Sequence, residues 1–195
     1  MNRWAKSGVL DRVFEQLQLQ QIVRIRIECL QSGLDLGEGA SGWSRSVKKN
    51  GPQAIGKSRG GWNTKIHMVA ADARTTICFA LSPGDEHDAP AGRTLLEELG
   101  QMPEDLPLLM DRAYEGDETR QLVLDFDMIP VVPPKSNRIT PWEYDRALYK
   151  KRNEIERLFR RLKGFRRIFS RFEKLDVVFR AFLNFALIVE ALRLV

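Results

Sequence analysis

The sequence predicts an α/β protein built on a mixed β-sheet, and three observations carry that prediction. Two short apolar runs, Thr64 to Ala71 and Thr75 to Leu81, are joined by Asp72-Ala73-Arg74 and read as a β-hairpin. Beyond them, apolar runs of strand length alternate with amphipathic runs of helix length. A hairpin followed by such crossovers gives a sheet with antiparallel and parallel pairs, flanked by helices.

Each element has its own warrant. Trp4 to Gln20 is an expected amphipathic helix, with Val9, Leu10, Val13, Phe14 and Leu17 on one side. Residues 29–46 carry Gly33, Gly37, Gly39 and Gly42 with no clear period, and Lys48 to Gly61 reads as a basic loop. After the hairpin come a helix over Ala89 to Leu99, a buried strand over Leu106 to Met110 ending at Asp111, and a helix over Gly116 to Asp125. Met128 to Val132 is a strand stopped by Pro133-Pro134, because proline cannot donate to a ladder. Two helices close the chain, one from Asp145 to Arg161 or beyond and one from Leu175 to Leu194.

Composition narrows the class. The 195 residues are 29% charged and 43% hydrophobic, which excludes a disordered acidic tail, a collagen-like fibre and a disulfide-dense miniprotein. Cys29 and Cys78 are the only cysteines, too few for a disulfide framework, so a reducing, cytoplasmic setting is expected. Met-Asn-Arg-Trp-Ala-Lys leads into charged residues rather than an apolar signal core. The apolar stretch from Leu175 contains Asp176, Arg180, Asn184, Glu190 and Arg193, so a core helix is expected rather than a membrane span. The formal net charge of +5 is unevenly spread. Residues 149–174 hold eleven Lys or Arg against Glu154, Glu156 and Glu173, which makes this segment the expected polyanion-facing surface.

Chemistry-bearing residues fall in that segment and at Asp111. At about 100° per residue, Arg152, Glu156 and Lys163 lie within roughly 60° of Tyr149 on one helix stripe. Ile155, Leu158 and Leu162 occupy the neighbouring, core-facing arc. A surface glutamate paired with Arg152 and Arg160 at i,i+4 spacing also accounts for Glu156, but it requires neither the tyrosine nor the distant lysine. Asp111 stands where α/β sheets bind ligands, at the C-terminal end of a strand; a capping or turn role is the alternative. Carboxylates on a strand end and a helix can share a hard divalent cation, which offsets their repulsion and accepts phosphate oxygens as further ligands.

Gly51-Pro-Gln-Ala-Ile-Gly-Lys-Ser58 satisfies the phosphate-loop pattern, which raises a nucleotide-hydrolase alternative. That reading is set aside because Ser46 to Asn50 is no apolar strand and Arg59-Gly60-Gly61 is a poor helix start. His67 and His87, the only histidines, have no partners at zinc-ligand spacing.

The stripe Tyr149-x2-Arg152-x3-Glu156-x6-Lys163 resembles the signature of bacterial insertion-sequence transposases of the DDE class. Gly51 to Gly61, Thr64-Lys-Ile-His67, Pro83-Gly84 with His87-Asp-Ala-Pro90, Asp111-Arg-Ala-Tyr114 and Pro133-Pro-Lys-Ser-Asn-Arg138 look like the same group. The resemblance implies a ribonuclease H-like fold and catalysis by three carboxylates holding two Mg²⁺ (or Mn²⁺) ions. It makes Asp111 and Glu156 the second and third catalytic, metal-holding carboxylates. Tyr149, Arg152, Arg160 and Lys163 become the expected DNA-binding set. Double-stranded DNA, as transposon ends and target, is the implied partner, met by a homodimer in the bacterial cytoplasm or nucleoid. Residues 1–28 are then an N-terminal helical remnant and 29–195 the catalytic domain.

The chain departs from the pattern at the first carboxylate, which belongs upstream of Lys48-Lys49-Asn50 in a context like Asp-Ser-Thr. Asp35 is the nearest candidate, among glycines that make a poor strand. One back-translation of residues 29–47, read from the second base, yields Ala-Phe-Ser-Leu-Asp-Ser-Thr, with its aspartate at position 33. The expectation is therefore a degenerate or frameshifted copy whose first strand is disrupted and whose nuclease activity is poor. A basic DNA-binding relic without chemistry is the alternative.

Overall fold

The computed structural model describes residues 2–24, 30–39 and 51–193. The N-terminal stretch comes as two helices, α1 (Asn2–Lys6) and α2 (Val9–Arg24). Gly8 separates them at φ 66°, a left-handed conformation that ends a helix without a Cβ clash. The strands are β1 (Leu30–Gly39), β2 (Gly56–Ser58), β3 (Gly61–Ala70), β4 (Thr76–Pro83), β5 (Pro107–Leu109), β6 (Ile129–Val131) and β7 (Ser170–Arg171). The later helices are α3 (Asp88–Leu99), α4 (Asp117–Asp125), α5 (Arg146–Tyr149), α6 (Asn153–Lys163), α7 (Arg166–Phe169) and α8 (Asp176–Leu192).

The mixed α/β sheet stands as expected: β3 runs antiparallel to β1, β2 and β4, while β1, β5 and β6 run parallel. The disrupted first strand does not. Residues 30–39 form a continuous strand in the middle of the sheet, paired with β3 from Gln31↔Ala70 to Glu38↔Asn63. On its other edge it meets β5 at Leu30 and Gln31, and β7 at Glu38 and Gly39. Ladder bonds run through the backbone, so a strand held on both edges tolerates glycines that its own propensity disfavours.

Alternate residues of β3 serve two cores. Ile66 and Met68 pack with Ile155, Leu158 and Leu162 of α6 and Phe179, Leu183 and Leu187 of α8. Val69 packs with Leu95, Leu96, Leu108, Met110 and Val123 on the opposite face, under α3 and α4. This period of two against two helical layers gives an α/β/α sandwich. The N-terminal helices close the α8 side: Ala5 and Leu10 meet Ala181, and Phe14 joins the α6–α8 core. Among the described residues, no helix is long and apolar enough to cross a membrane.

Two further expectations are corrected. The basic loop expected over Lys48 to Gly61 contains a strand, β2, which turns directly into β3 with Ser58 opposite Gly61; the phosphate-loop motif therefore opens no helix, in agreement with setting the nucleotide-hydrolase reading aside. The long helix from Asp145 is interrupted by a 3-10 turn over Lys150–Arg152. Three residues are too few for a hydrophobic period to separate 3.0 from 3.6 residues per turn.

Candidate active site

Asp111 follows β5 in extended conformation, and its side chain does two things at once. Oδ1 accepts from the Ala113 backbone N–H at 3.2 Å and caps the 3-10 turn Arg112–Tyr114. Oδ2 accepts from Nη1 of Arg152 at 3.1 Å. The capping role weighed as an alternative is therefore real, and it leaves the second oxygen facing outward from the strand end.

The Asp111 backbone is fixed from behind by Tyr114. That ring is buried, and its hydroxyl lies 2.9 Å from Nδ1 of His67, whose Nε2 lies 2.7 Å from the Ser82 hydroxyl. Burial lowers the His67 pKa to about 4, against the raising charge of Asp88 and with a smaller lowering from Lys65. The imidazole is therefore neutral at neutral pH, and one ring nitrogen donates while the other accepts. Burial also pushes the Tyr114 phenol up, with Asp88 and Asp111 adding to the effect. This pairing is structural, and it assigns His67 to the fold rather than to a metal.

The helical stripe approaches from the other side. Asp145 caps α5 through the Leu148 N–H. The 3-10 turn then brings Arg152 almost over Tyr149, because residues three apart eclipse in that geometry; the guanidinium carbon is 5.7 Å from the ring centroid. The Tyr149 ring stands edge-on to Tyr144 at 5.6 Å. Its phenol is pushed up chiefly by burial, with Arg152 opposing and Asp111 reinforcing. One turn into α6, Oε1 of Glu156 accepts from Nη2 of Arg152 at 2.6 Å. A single guanidinium thus grips both carboxylates, one from a strand end and one from a helix. Asp111, Tyr149, Arg152 and Glu156 are brought together. Arg160 and Lys163 are exposed farther along α6, the latter about 10 Å of helix rise beyond Glu156.

The strand pairings locate the crevice. Between Gln31, which faces Leu109, and Glu38, which faces Ser170, the β1 edge has no strand partner among the described residues. Extending the parallel register by two residues sets Gly33 level with Asp111. Its partner across the other edge is Met68, which packs against the α6 core. Position 33 therefore lies beside Asp111 on the face covered by the helix that carries Glu156. Asp35 is opposite Ile66, one pleat farther along.

Sequence reasoning missed the support of the crevice wall. Glu115 is buried and takes Lys135 Nζ at 3.0 Å and Arg138 Nη1 at 3.4 Å. Arg138 also pairs with Asp117, and Trp142 lies between the guanidinium groups of Arg120 and Arg138 at 3.6 and 4.5 Å. These contacts tie the Pro133–Arg138 loop to the turn after Asp111. A carboxylate immediately after Asp-Arg-Ala-Tyr, with two cations twenty residues on, was the available signal.

The donor set suits a hard divalent cation as far as it goes, since two carboxylates already converge on one positive charge. Among the described residues, no group of three His, Cys, Asp or Glu side chains gathers anywhere.

Residues 38–189 match a family model described as transposase DDE domain. A Brucella ovis protein described as a transposase for insertion sequence element IS6501 is 32% identical over 127 residues, covering 63% of this chain and 93% of that relative. Among solved structures, a piggyBac transposase synaptic complex with hairpin DNA is similar at TM-score 0.40 and 14% identity, over 57% of this chain and 24% of that one. A Mos1 transposase paired-end complex with the left transposon end is similar at TM-score 0.40 and 11% identity, over 91% of this chain and 61% of that one. The chain spans less than two thirds of either structural relative.

Proposed function

The chain belongs to the transposase DDE domain family, and on that premise we propose that it is the catalytic core of an insertion-sequence transposase whose metal site lacks one carboxylate. The convergence of Asp111 and Glu156 on one guanidinium carries this reading. Members of this family generally use divalent metal ions. Bound here, such an ion would be held by Asp111 and Glu156 and would supply charge stabilisation for phosphodiester attack. The protein's own part is positioning. The Ala113 N–H fixes one oxygen of Asp111, and α6 holds Glu156 across from it. Tyr149, Arg152, Arg160 and Lys163 line the approach of double-stranded DNA, which a homodimer would engage at transposon ends and target. On this reading residues 29–195 are the catalytic domain, preceded by an N-terminal segment over residues 1–28, and the protein acts on DNA in the bacterial cytoplasm.

Gly33 accounts for the missing ligand. Extending the β1–β5 register two residues past Gln31↔Leu109 makes it the β1 position level with Asp111, and it has no side chain to offer. One back-translation of residues 29–47, read from the second base, puts an aspartate at this same position, as descent from a complete site by compensating frame shifts would require. The test is strand cleavage of a duplex bearing matching transposon ends, with Mg²⁺ or Mn²⁺. We expect little cutting by the chain as it stands, a gain with Gly33→Asp, and loss of that gain when Glu156→Gln is added. Robust cutting by the unaltered chain overturns the missing-ligand reading, and cutting that Glu156→Gln leaves unchanged overturns the assignment of the site. The second reading, a basic DNA-binding relic, requires that Gly33→Asp restore no cutting while DNA binding persists.

A further inference from the structure

We propose that Arg152 is a built-in counter-ion that keeps a divalent cation off Asp111 and Glu156 until a DNA phosphate draws the guanidinium away. This rests on reading the two carboxylates as metal ligands, and it adds a coupling between DNA and metal that the reading does not contain.

The argument begins with competition for the same atoms. Oδ2 of Asp111 and Oε1 of Glu156 each accept from a different nitrogen of Arg152, at 3.1 and 2.6 Å. A hard divalent cation would stand about 2 Å from each oxygen, inside the space that the guanidinium fills. Two positive groups that close also repel strongly in a crevice partly shielded from water. The site therefore holds one or the other. Without metal, the guanidinium lets two carboxylates lie close together; in their absence it would have no reason to point inward.

The second strand of the argument is where Arg152 can go. It is the least exposed of the three side chains, at 18%, yet it ends a 3-10 turn between two helices and is not locked in a core. Exposed Lys150 and Lys151 share the 3-10 turn with Arg152, and exposed Arg160 and Lys163 lie farther along α6, so this run of cations favours a polyanion along the turn and helix. A guanidinium matches phosphate oxygens with the fork that it now offers to carboxylates. A phosphate arriving at the turn competes with Asp111 and Glu156 for Arg152, and their release completes a place for the metal. Linkage makes the effect mutual: if DNA tightens metal binding by some factor, metal tightens DNA binding by the same factor.

The experiment is Mn²⁺ binding to the full chain, followed by the electron paramagnetic resonance signal of free Mn²⁺, with and without a short mixed-sequence duplex. For the unaltered chain, the duplex is expected to tighten Mn²⁺ binding by roughly tenfold. Arg152→Gln is expected to bind Mn²⁺ that tightly without DNA and to lose the dependence on duplex. Arg152→Lys keeps the charge but reaches one carboxylate at a time, so it should fall between them; it also serves if Arg152→Gln fails to melt as a folded protein. Mn²⁺ binding that is no tighter in either variant than in the unaltered chain overturns the proposal. The underlying reading fails separately, if Asp111→Asn and Glu156→Gln leave Mn²⁺ binding unchanged.

Discussion

His67 shows how one buried side chain can set a pH limit on the whole fold. The imidazole is fully enclosed between Tyr114 and Ser82, and burial depresses its pKa from 6.5 to about 4. The unfolded chain takes up this proton near pH 6.5 and the folded chain only near pH 4. The group's contribution to stability is thus fully present above pH 6.5 and is lost as pH falls toward 4. Its share is about 3 kcal/mol across that window. Denaturant melts of the wild type and His67→Gln between pH 4 and 8 should show a steeper acid loss in the wild type; parallel curves would contradict it. Arg171 makes a different point. It counts among the eleven cations of residues 149–174, yet it is 0% exposed and donates to Thr64 Oγ1, Asp176 Oδ1 and three backbone carbonyls. Charge read from sequence overstates charge at the surface, because an arginine can be an interior hydrogen-bond hub.

At the scale of elements, α3 is seated on Tyr114 through a glycine. A Cβ on Gly92 would stand 2.4 Å from Cε1 of that ring. Alanine gains about 1 kcal/mol in helix propensity, but overpacking a filled core costs about 1–3 kcal/mol. Gly92→Ala is therefore expected to destabilise by up to about 2 kcal/mol, read as a lower denaturant midpoint. A rise in midpoint would mean that the ring moves away freely. Elements differ in how much of them the sequence disclosed. The hairpin of β3 and β4, and helices α3, α4 and α8, were legible because their apolar periods are long and uninterrupted. The break before α6 and the split at Gly8 were not, since each turns on one to three residues. β1 was misjudged for a deeper reason. Its stability comes from the partners on its two edges, which no local pattern of Leu30 to Gly39 can reveal. The convergence of Asp111 and Glu156 was readable from a strand end and a helix stripe. The guanidinium between them was read only as a neighbour, because i,i+4 spacing links Arg152 to Glu156 but says nothing of a contact forty-one residues back.

For the molecule as a whole, several cations of the basic segment are already spoken for. Arg157 pairs with Glu154, Arg161 approaches Glu190, and Arg167 pairs with Glu173. Lys150, Lys151, Arg160 and Lys163 are exposed on the turn and helix that carry Arg152 and Glu156, and they form the proposed footprint for a duplex. Binding to DNA should weaken steeply with salt, with log K falling linearly against log salt concentration. Each of Arg160→Ala and Lys163→Ala should reduce that slope by about one. A titration in which neither variant alters the slope would move the footprint elsewhere.

The position of β1 has a consequence for how the chain is made. It is synthesised early, yet its two edges are covered at very different times: one by β3 within about thirty residues, the other by β5 and finally by Ser170 and Arg171 of β7. Until translation has passed the last of these, the nascent polypeptide carries a strand edge open to any neighbouring strand. Ribosomes crowded on one message would bring such edges together, and prompt emergence of the C-terminal third guards the polysome against aggregation.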